Sequence, residues 1–480
     1  MVAKQRYTIG IAFFLCFLIP GATAQTTKGS YFMTSSHTRH YLNPALTPNN
    51  GYIGIPVLGS VYADVTTNTF TVDNFIFLKE APGSSAKAMT FMHKDVKPEE
   101  FLANISDHNY LSVATGTDIL SMGFRGKRNY WNFHLGARVL ADVDIPRSLF
   151  ELLKVGFADQ DAEATRYDLS GLNISAQAYV EAGLAYSRSF LGERLIVGVR
   201  PKLLLGVGEM NMNVDQMEVS AGENFWEIKT RASLQTAAPG IQPEYDNEFE
   251  NLSGFDFKWQ GVPGIGAGVD VGASFRVFDL GVAGKLTASA ALNNIGFIKW
   301  SGKNSYYART AETSVIIRPN DYSVHQNGTS SIEDVLDDAV EDLERGMDFF
   351  TDPNKEGQAH TSHLNRNINL GVEYALFRDK LSFGVLYSSD KREQYSTGQC
   401  IVSANYRPCS WFATSASYAL FTEKASNNVG LAIHVSPRLG PALFIASDCA
   451  IAKLAKQGIP LRGHNMNVQV GIAFNTGGGK

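Results

Sequence analysis

Residues 130–145 read Tyr130-Trp131-Asn132-Phe133-His134-Leu135-Gly136-Ala137-Arg138-Val139-Leu140-Ala141-Asp142-Val143-Asp144-Ile145. Trp131, Phe133, Leu135, Ala137, Val139, Ala141, Val143 and Ile145 share one parity. Asn132, His134, Gly136, Arg138, Asp142 and Asp144 hold the other, where Leu140 is the only large apolar residue. Successive side chains of a strand point to opposite faces, so this is one continuous two-faced strand. Alternation alone fits a soluble sheet as well. Length decides: soluble strands peak at about 5–6 residues, whereas a tilted membrane strand needs roughly 9–11 and can project beyond the bilayer.

The same period returns along the chain. Leu172, Ile174, Ala176, Ala178, Val180 and Leu184 oppose Asn173, Ser175, Gln177, Glu181 and Gly183. Leu195 to Val207 opposes Arg200 and Lys202, and Ile265 to Val277 opposes Gly264, Gly266, Gly268, Asp270, Gly272 and Arg276. Fourteen candidate strands begin near Gly51, Leu111, Tyr130, Gly171, Leu195, Gly264, Leu286, Asn365, Leu381, Gly398, Trp411, Val429, Pro441 and Asn465. Their connections alternate between tight (126–129, 191–194, 278–284, 377–380, 407–410, 436–440) and long (67–109, 146–170, 210–262, 301–363, 450–463). Short periplasmic turns and long extracellular loops give this rhythm, and an even count puts both termini in the periplasm. Trp131, Tyr186, Tyr374, Tyr406, Trp411 and Phe412 fall beside tight turns, with Trp300 at the far end of its strand, as interfacial girdles would. The fold class is therefore all-β: a transmembrane antiparallel barrel of about 14 strands, covering residues 51–480.

The first 24 residues read as a secretory signal peptide: Lys4 and Arg6, an apolar stretch from Ile9 to Pro20, then Ala22-Thr23-Ala24. Edman sequencing of the exported protein should begin at Gln25, and the protein should fractionate with the outer membrane; recovery from the soluble periplasm would contradict the whole reading. Cleavage removes only Lys4 and Arg6, taking the net charge from −5 to −7, which argues against nucleic acid as a partner. Cys400, Cys409 and Cys449 remain, an odd number that is no disulfide framework, although one pair could form. No nucleophile elbow, phosphate loop or catalytic triad is present, so the chain reads as a non-enzyme without cofactor. Gly264-x-Gly266-x-Gly268 lies inside a strand and is no dinucleotide loop; His360-x-x-His363 lacks a third ligand, so no metal is expected.

Three features bear on function. Asn43-Pro44-Ala45-Leu46, before the first strand, has the form of a helix start with Asn as cap and Pro at the first position. It belongs to a segment, residues 25–50, that is expected to plug the lumen. His134, Arg138, Asp142, Glu181, Arg200, Lys202, Asp270 and Arg276 all lie on inward parity, as an ion network or a substrate path. Parity alone implies that Val139→Arg, facing lipid, costs more than Arg138→Val, facing the lumen. Ser330 to Gly346 reads as an amphipathic helix with an acidic face in a long loop, and Phe150 to Val155 as a shorter loop helix.

The Asn-Pro-Ala-Leu element before strand one, with fourteen strands after it, resembles the FadL-type long-chain fatty acid transporters and the PorV-like barrels of type IX secretion. Gly198-Val199-Arg200-Pro201-Lys202-Leu203, Gly296-Phe297-Ile298-Lys299-Trp300 and Val468-Gln469-Val470-Gly471-Ile472-Ala473-Phe474 resemble a sister family of unknown function with the same barrel. The resemblance implies a FadL-like fold with an N-terminal plug, set in outer-membrane lipid. It leaves two functions open. One is passive uptake of a hydrophobic small molecule; the other is a non-transporting scaffold that docks secreted or surface proteins. A continuous apolar pocket would favour the first, and a plugged lumen under a structured loop canopy the second.

Overall fold

A computed structural model describes residues 27–79, 87–156, 165–222, 225–245, 252–258, 261–310, 314–317, 349–351, 358–392, 395–421, 428–449 and 465–477. The expected signal peptide (residues 1–24) and the expected amphipathic helix (Ser330 to Gly346) lie outside these residues. Fourteen antiparallel strands close into a barrel. They are β1 (Gly51–Gly54 continued by Val61–Thr67), β2 (His108–Arg125), β3 (Asn129–Pro146), β4 (Asn173–Phe190), β5 (Leu195–Gly222), β6 (Gly264–Asp279) and β7 (Lys285–Trp300), followed by β8 (Arg366–Leu376), β9 (Leu381–Lys391), β10 (Ser396–Cys409), β11 (Phe412–Phe421), β12 (Asn428–Val435), β13 (Leu439–Ser447) and β14 (Asn465–Gly477). Each pairs with the next, and β14 returns to both halves of β1, for example Val61 opposite Val470 and Ile53 opposite Phe474. Closure leaves no open edge, which a sheet in hydrocarbon requires.

The pleat turns sequence parity into an inside and an outside. Leu203 and Ile265 stay 68% and 65% exposed on the outer wall, whereas Arg200, Lys202 and Asp270 are buried within. Tight turns gather at one rim, such as Leu191-Gly192-Glu193, all in the left-handed region that sharp strand reversals need. In outer-membrane barrels the rim of tight turns is the periplasmic one. Trp131 and Tyr186 meet there with ring centroids 4.4 Å apart, and Tyr406 and Trp411 are exposed next to another tight turn. Trp300 departs from the girdle reading. It is wholly buried, points inward over Gly206 and Gly264, and donates its indole N–H to Ser362 Oγ at 2.7 Å.

The other rim carries a folded canopy. Residues 210–222, which the polarity pattern assigns to a loop, continue β5 beyond the barrel. They pair with Phe225–Ala237, which pairs in turn with Ser305–Thr310 and Ser314–Ile317. Outside the membrane a strand needs no apolar face, so its period-two signal disappears. Beside this extension, the β1–β2 and β3–β4 connections build a small core of their own. Phe101 and Phe150 are buried there with Val96 and Ile105, against Phe70, Phe75 and Phe91. The loop helix runs Arg147–Val155, three residues longer at its start than its apolar stripe indicates.

Candidate functional site

The lumen is filled from below by residues 27–50, of which Asn49 alone is exposed. Asn43-Pro44-Ala45-Leu46 does not open a helix. Asn43 Oδ1 accepts the Ala45 N–H at 2.9 Å and the Asn43 carbonyl accepts the Leu46 N–H at 2.9 Å, making a single turn. Pro48 disfavours helical backbone at Thr47, so the turn cannot propagate. The turn is instead fitted to the wall. A Cβ on Gly198 would collide with the Pro44 carbonyl, and one on Gly272 with the Asn43 side chain, so glycine at these positions lets the turn sit directly on the wall backbone.

Polar groups of the wall hold the plug all round. Asn293 and Asn369 Nδ2 donate to the Leu42 carbonyl at 2.8 and 2.9 Å, and Ser187 Oγ to the Pro44 carbonyl at 2.6 Å. Asp448 accepts the Lys28 and Gly29 N–H groups, each at 2.8 Å. Lys28 Nζ pairs with Asp390 at 2.5 Å. Arg200 donates to the His40 and Tyr41 carbonyls at 3.3 and 3.1 Å. Tyr31 and Phe32 pack against Leu386 and Ile401 of the inner wall. Burial keeps His37 and His40 below their ordinary pKa, hence neutral, and drops the Arg39 guanidinium to about 10.

The inward charges on β2 to β6 form one buried belt above the plug. Asp118 meets Arg138 at 3.0 Å; Arg138 meets Glu181 at 2.9 Å; Glu181 meets Lys202 at 3.6 Å; Lys202 meets Asp270 at 3.0 Å; and Asp270 meets Arg200 at 2.5 Å. His134 Nε2 lies 3.3 Å from Glu181. Strand register creates the last link, since Asp270 sits directly opposite Arg200 in the β5–β6 ladder. Tyr41 donates its hydroxyl to Asp118 at 2.6 Å, tying the belt to the plug. Asp142 stands apart and meets Arg392 at 2.5 Å. Arg276 does not join: it is a third exposed, at the rim, 3.6 Å from Asp279.

These contacts revise the ranking that parity implies. Arg138→Val strips a partner from two buried carboxylates, a loss worth about 3–5 kcal/mol before Lys202 and His134 compensate. Val139→Arg places a charge in mid-membrane at about 2–4 kcal/mol. The two are expected to cost about the same, which urea titrations of both variants refolded into lipid vesicles will read.

Above the plug lies a cavity of about 130 Å³, with Tyr62, Asp118, Arg138, Glu181, Lys202 and Asn293 among its walls. A second, of about 50 Å³, continues it toward the canopy between Gln177, Glu209, Asn211 and Tyr395. The two share Leu140, Asn365 and Arg392. His360 and His363 do not converge; His360 Nε2 meets Glu209 at 2.5 Å. Among the described residues no cluster of His, Cys, Asp or Glu is arranged to hold a metal.

The model of the DUF5723 family, a family of unknown function, matches residues 44–448. The chain belongs to this family. No curated protein matches it. Solved structures with a similar fold include the deltaS2S3 mutant of TodX, a monoaromatic hydrocarbon channel, at 8% identity over 95% of this chain and 96% of that one, with a TM-score of 0.41. The Ralstonia pickettii toluene transporter TbuX is 9% identical over 95% of each chain, TM-score 0.40. A Pseudomonas aeruginosa FadL homologue is 9% identical over 95% of this chain and 99% of that one, TM-score 0.39. At such identities the likeness concerns the fold alone. This member of the DUF5723 family is a closed fourteen-stranded antiparallel β-barrel.

Proposed function

We propose that this barrel is a closed outer-membrane scaffold that docks a secreted or surface protein on its extracellular canopy. The observation that carries the reading is the plug, bonded to the wall on every side beneath a belt of paired charges. Uptake of a hydrophobic molecule, the other function open to this fold, calls for an apolar path. The cavities here are lined instead by Asp118, Arg138, Glu181 and Lys202, and an apolar solute displacing water from such groups leaves them undersolvated. The canopy supports docking in its own right. Loops that merely join strands need no core, yet these bury Phe101 and Phe150 together and leave Met92 and Leu153 exposed on their surface.

The test places a photo-crosslinking amino acid at Met92 or Leu153 in living cells, with lipid-facing Leu203 as control. A discrete polypeptide adduct at the canopy positions, absent at Leu203, is the expected result. Absence of any canopy adduct, with saturable entry of a hydrophobic solute into vesicles carrying the protein, would return the assignment to uptake.

A further inference from the structure

The two joined cavities raise a question that docking on the canopy does not answer. Together they far exceed the roughly 10–15 Å³ that one water needs. We propose that they form a binding site for a neutral sugar in the upper lumen.

Charge comes first. Lys28 is answered by Asp390, Arg138 by Asp118 and Glu181, Lys202 and Arg200 by Asp270, and Arg392 by Asp142. Glu209 likewise meets His360, so each of these groups already has a partner in the wall or the plug, and an entering ion finds no unpartnered counter-charge to repay the hydration it sheds.

Hydrogen-bonding capacity comes second. Asn293 is 4% exposed, yet its Oδ1 has no partner; Arg392 is 7% exposed, and its Nε has none; Asn211 Oδ1 is likewise unpaired. Buried groups left this way cost about 1–3 kcal/mol each, and native structures rarely leave them unmet. The open set contains acceptors and a donor together, beside the amides of Asn294, Asn365 and Gln177. A sugar hydroxyl donates and accepts at once, as an amide side chain does, so a polyol matches this mixed set where an apolar ligand cannot.

Apolar surface comes third. Tyr62 and Tyr179 line the lower cavity and Tyr395 the upper, the last stacked on Tyr110 with centroids 4.4 Å apart. The Arg138 and Arg392 guanidinium groups lie over the Tyr62 and Tyr395 rings, so it is the ring edges and Tyr179 that supply apolar contact for the C–H groups of a pyranose.

The experiment uses the full mature protein in nanodiscs and saturation-transfer NMR with maltose, lactose and sucrose, against glucuronate and glucosamine as charged counterparts. Neutral disaccharides should bind, with the charged sugars at least about tenfold weaker. Leu140→Trp changes no charged residue, enlarges a side chain that lines both cavities, and should abolish binding. Arg392→Lys keeps the charge facing Asp142 but removes Nε, and should weaken binding severalfold. Heat-modifiable migration checks that each variant is folded; should Leu140→Trp not fold, Arg392→Lys carries the test. Nanodiscs with smooth in place of rough lipopolysaccharide separate the sources: competition identifies a membrane-borne glycan, its absence a free saccharide. The proposal is overturned if no neutral sugar binds at millimolar concentration, which leaves the cavities to water. Equal binding of the charged sugars overturns it too, as does unchanged binding by both folded variants.

Discussion

A barrel lacking residues 27–50 is expected to conduct ions in planar bilayers, while the full mature chain stays closed. About eight strands is the size at which side chains fill a barrel, so fourteen leave a lumen that something else must occupy. Here the plug occupies it, and the wall is shaped for that: Gly198 and Gly272 leave hollows which only the Asn43–Pro44 turn fills. The wall does not depend on the plug for its ladder hydrogen bonds, which run from strand to strand and close at β14–β1. Fusing the signal peptide directly to Gly51 should therefore still give a heat-modifiable barrel, weakened by exposure of Leu386 and Ile401, which the plug now covers. Arg200, Asn293, Asn369 and Asp448 would turn from plug carbonyls and amides to water, and the vacated space would hydrate. Conductance indistinguishable from that of the intact protein would mean that residues 27–50 do not seal the lumen, and the scaffold reading would lose the observation it stands on.

How much of this was legible in the sequence follows from where the chain meets lipid. A strand crossing hydrocarbon must keep one face apolar, so β3, β4 and β6 announce themselves by parity. Past residue 209, β5 enters water, Asn211, Asn213, Asp215 and Glu218 intervene, and the strand reads as loop. The canopy core was hidden for another reason. Phe75 and Phe101 come from the β1–β2 connection and Phe150 from the β3–β4 connection, and together they follow no common period. Within the belt, Arg138, Glu181, Arg200, Lys202 and Asp270 were visible as inward charges, but their pairing depends on register. Asp118 escaped because a bulge between Asp118 and Leu120 shifts the β2 register, so that Asp118 and Ser121 both face inward. At Asn43 the sequence displays a helix cap, whereas in the fold the residue closes a single turn pressed against Gly272.

Asp270→Ala is expected to destabilise the barrel by about 3–5 kcal/mol, the cost of leaving buried charges without their partner. Asp270 is fully buried and meets both cations of β5, Lys202 at 3.0 Å and Arg200 at 2.5 Å, while Oδ1 also accepts the Asn294 N–H at 2.6 Å. Its removal leaves two cations sharing what remains. Lys202 can lean on Glu181, 3.6 Å away, but Glu181 already serves Arg138 and His134. Arg200 has no second carboxylate within ion-pair distance among the described residues, only the plug carbonyls of His40 and Tyr41. Adding Lys202→Met to Asp270→Ala removes one stranded charge and should recover part of the loss, because replacing a buried pair by apolar groups costs less than breaking it. Tryptophan-monitored urea titrations in lipid vesicles compare the single variant, the double variant and the parent. If the single variant unfolds at the parental midpoint, or the double variant is the less stable of the two, the belt is solvated and cannot be the closed partner set that both the seal and the neutral lumen require.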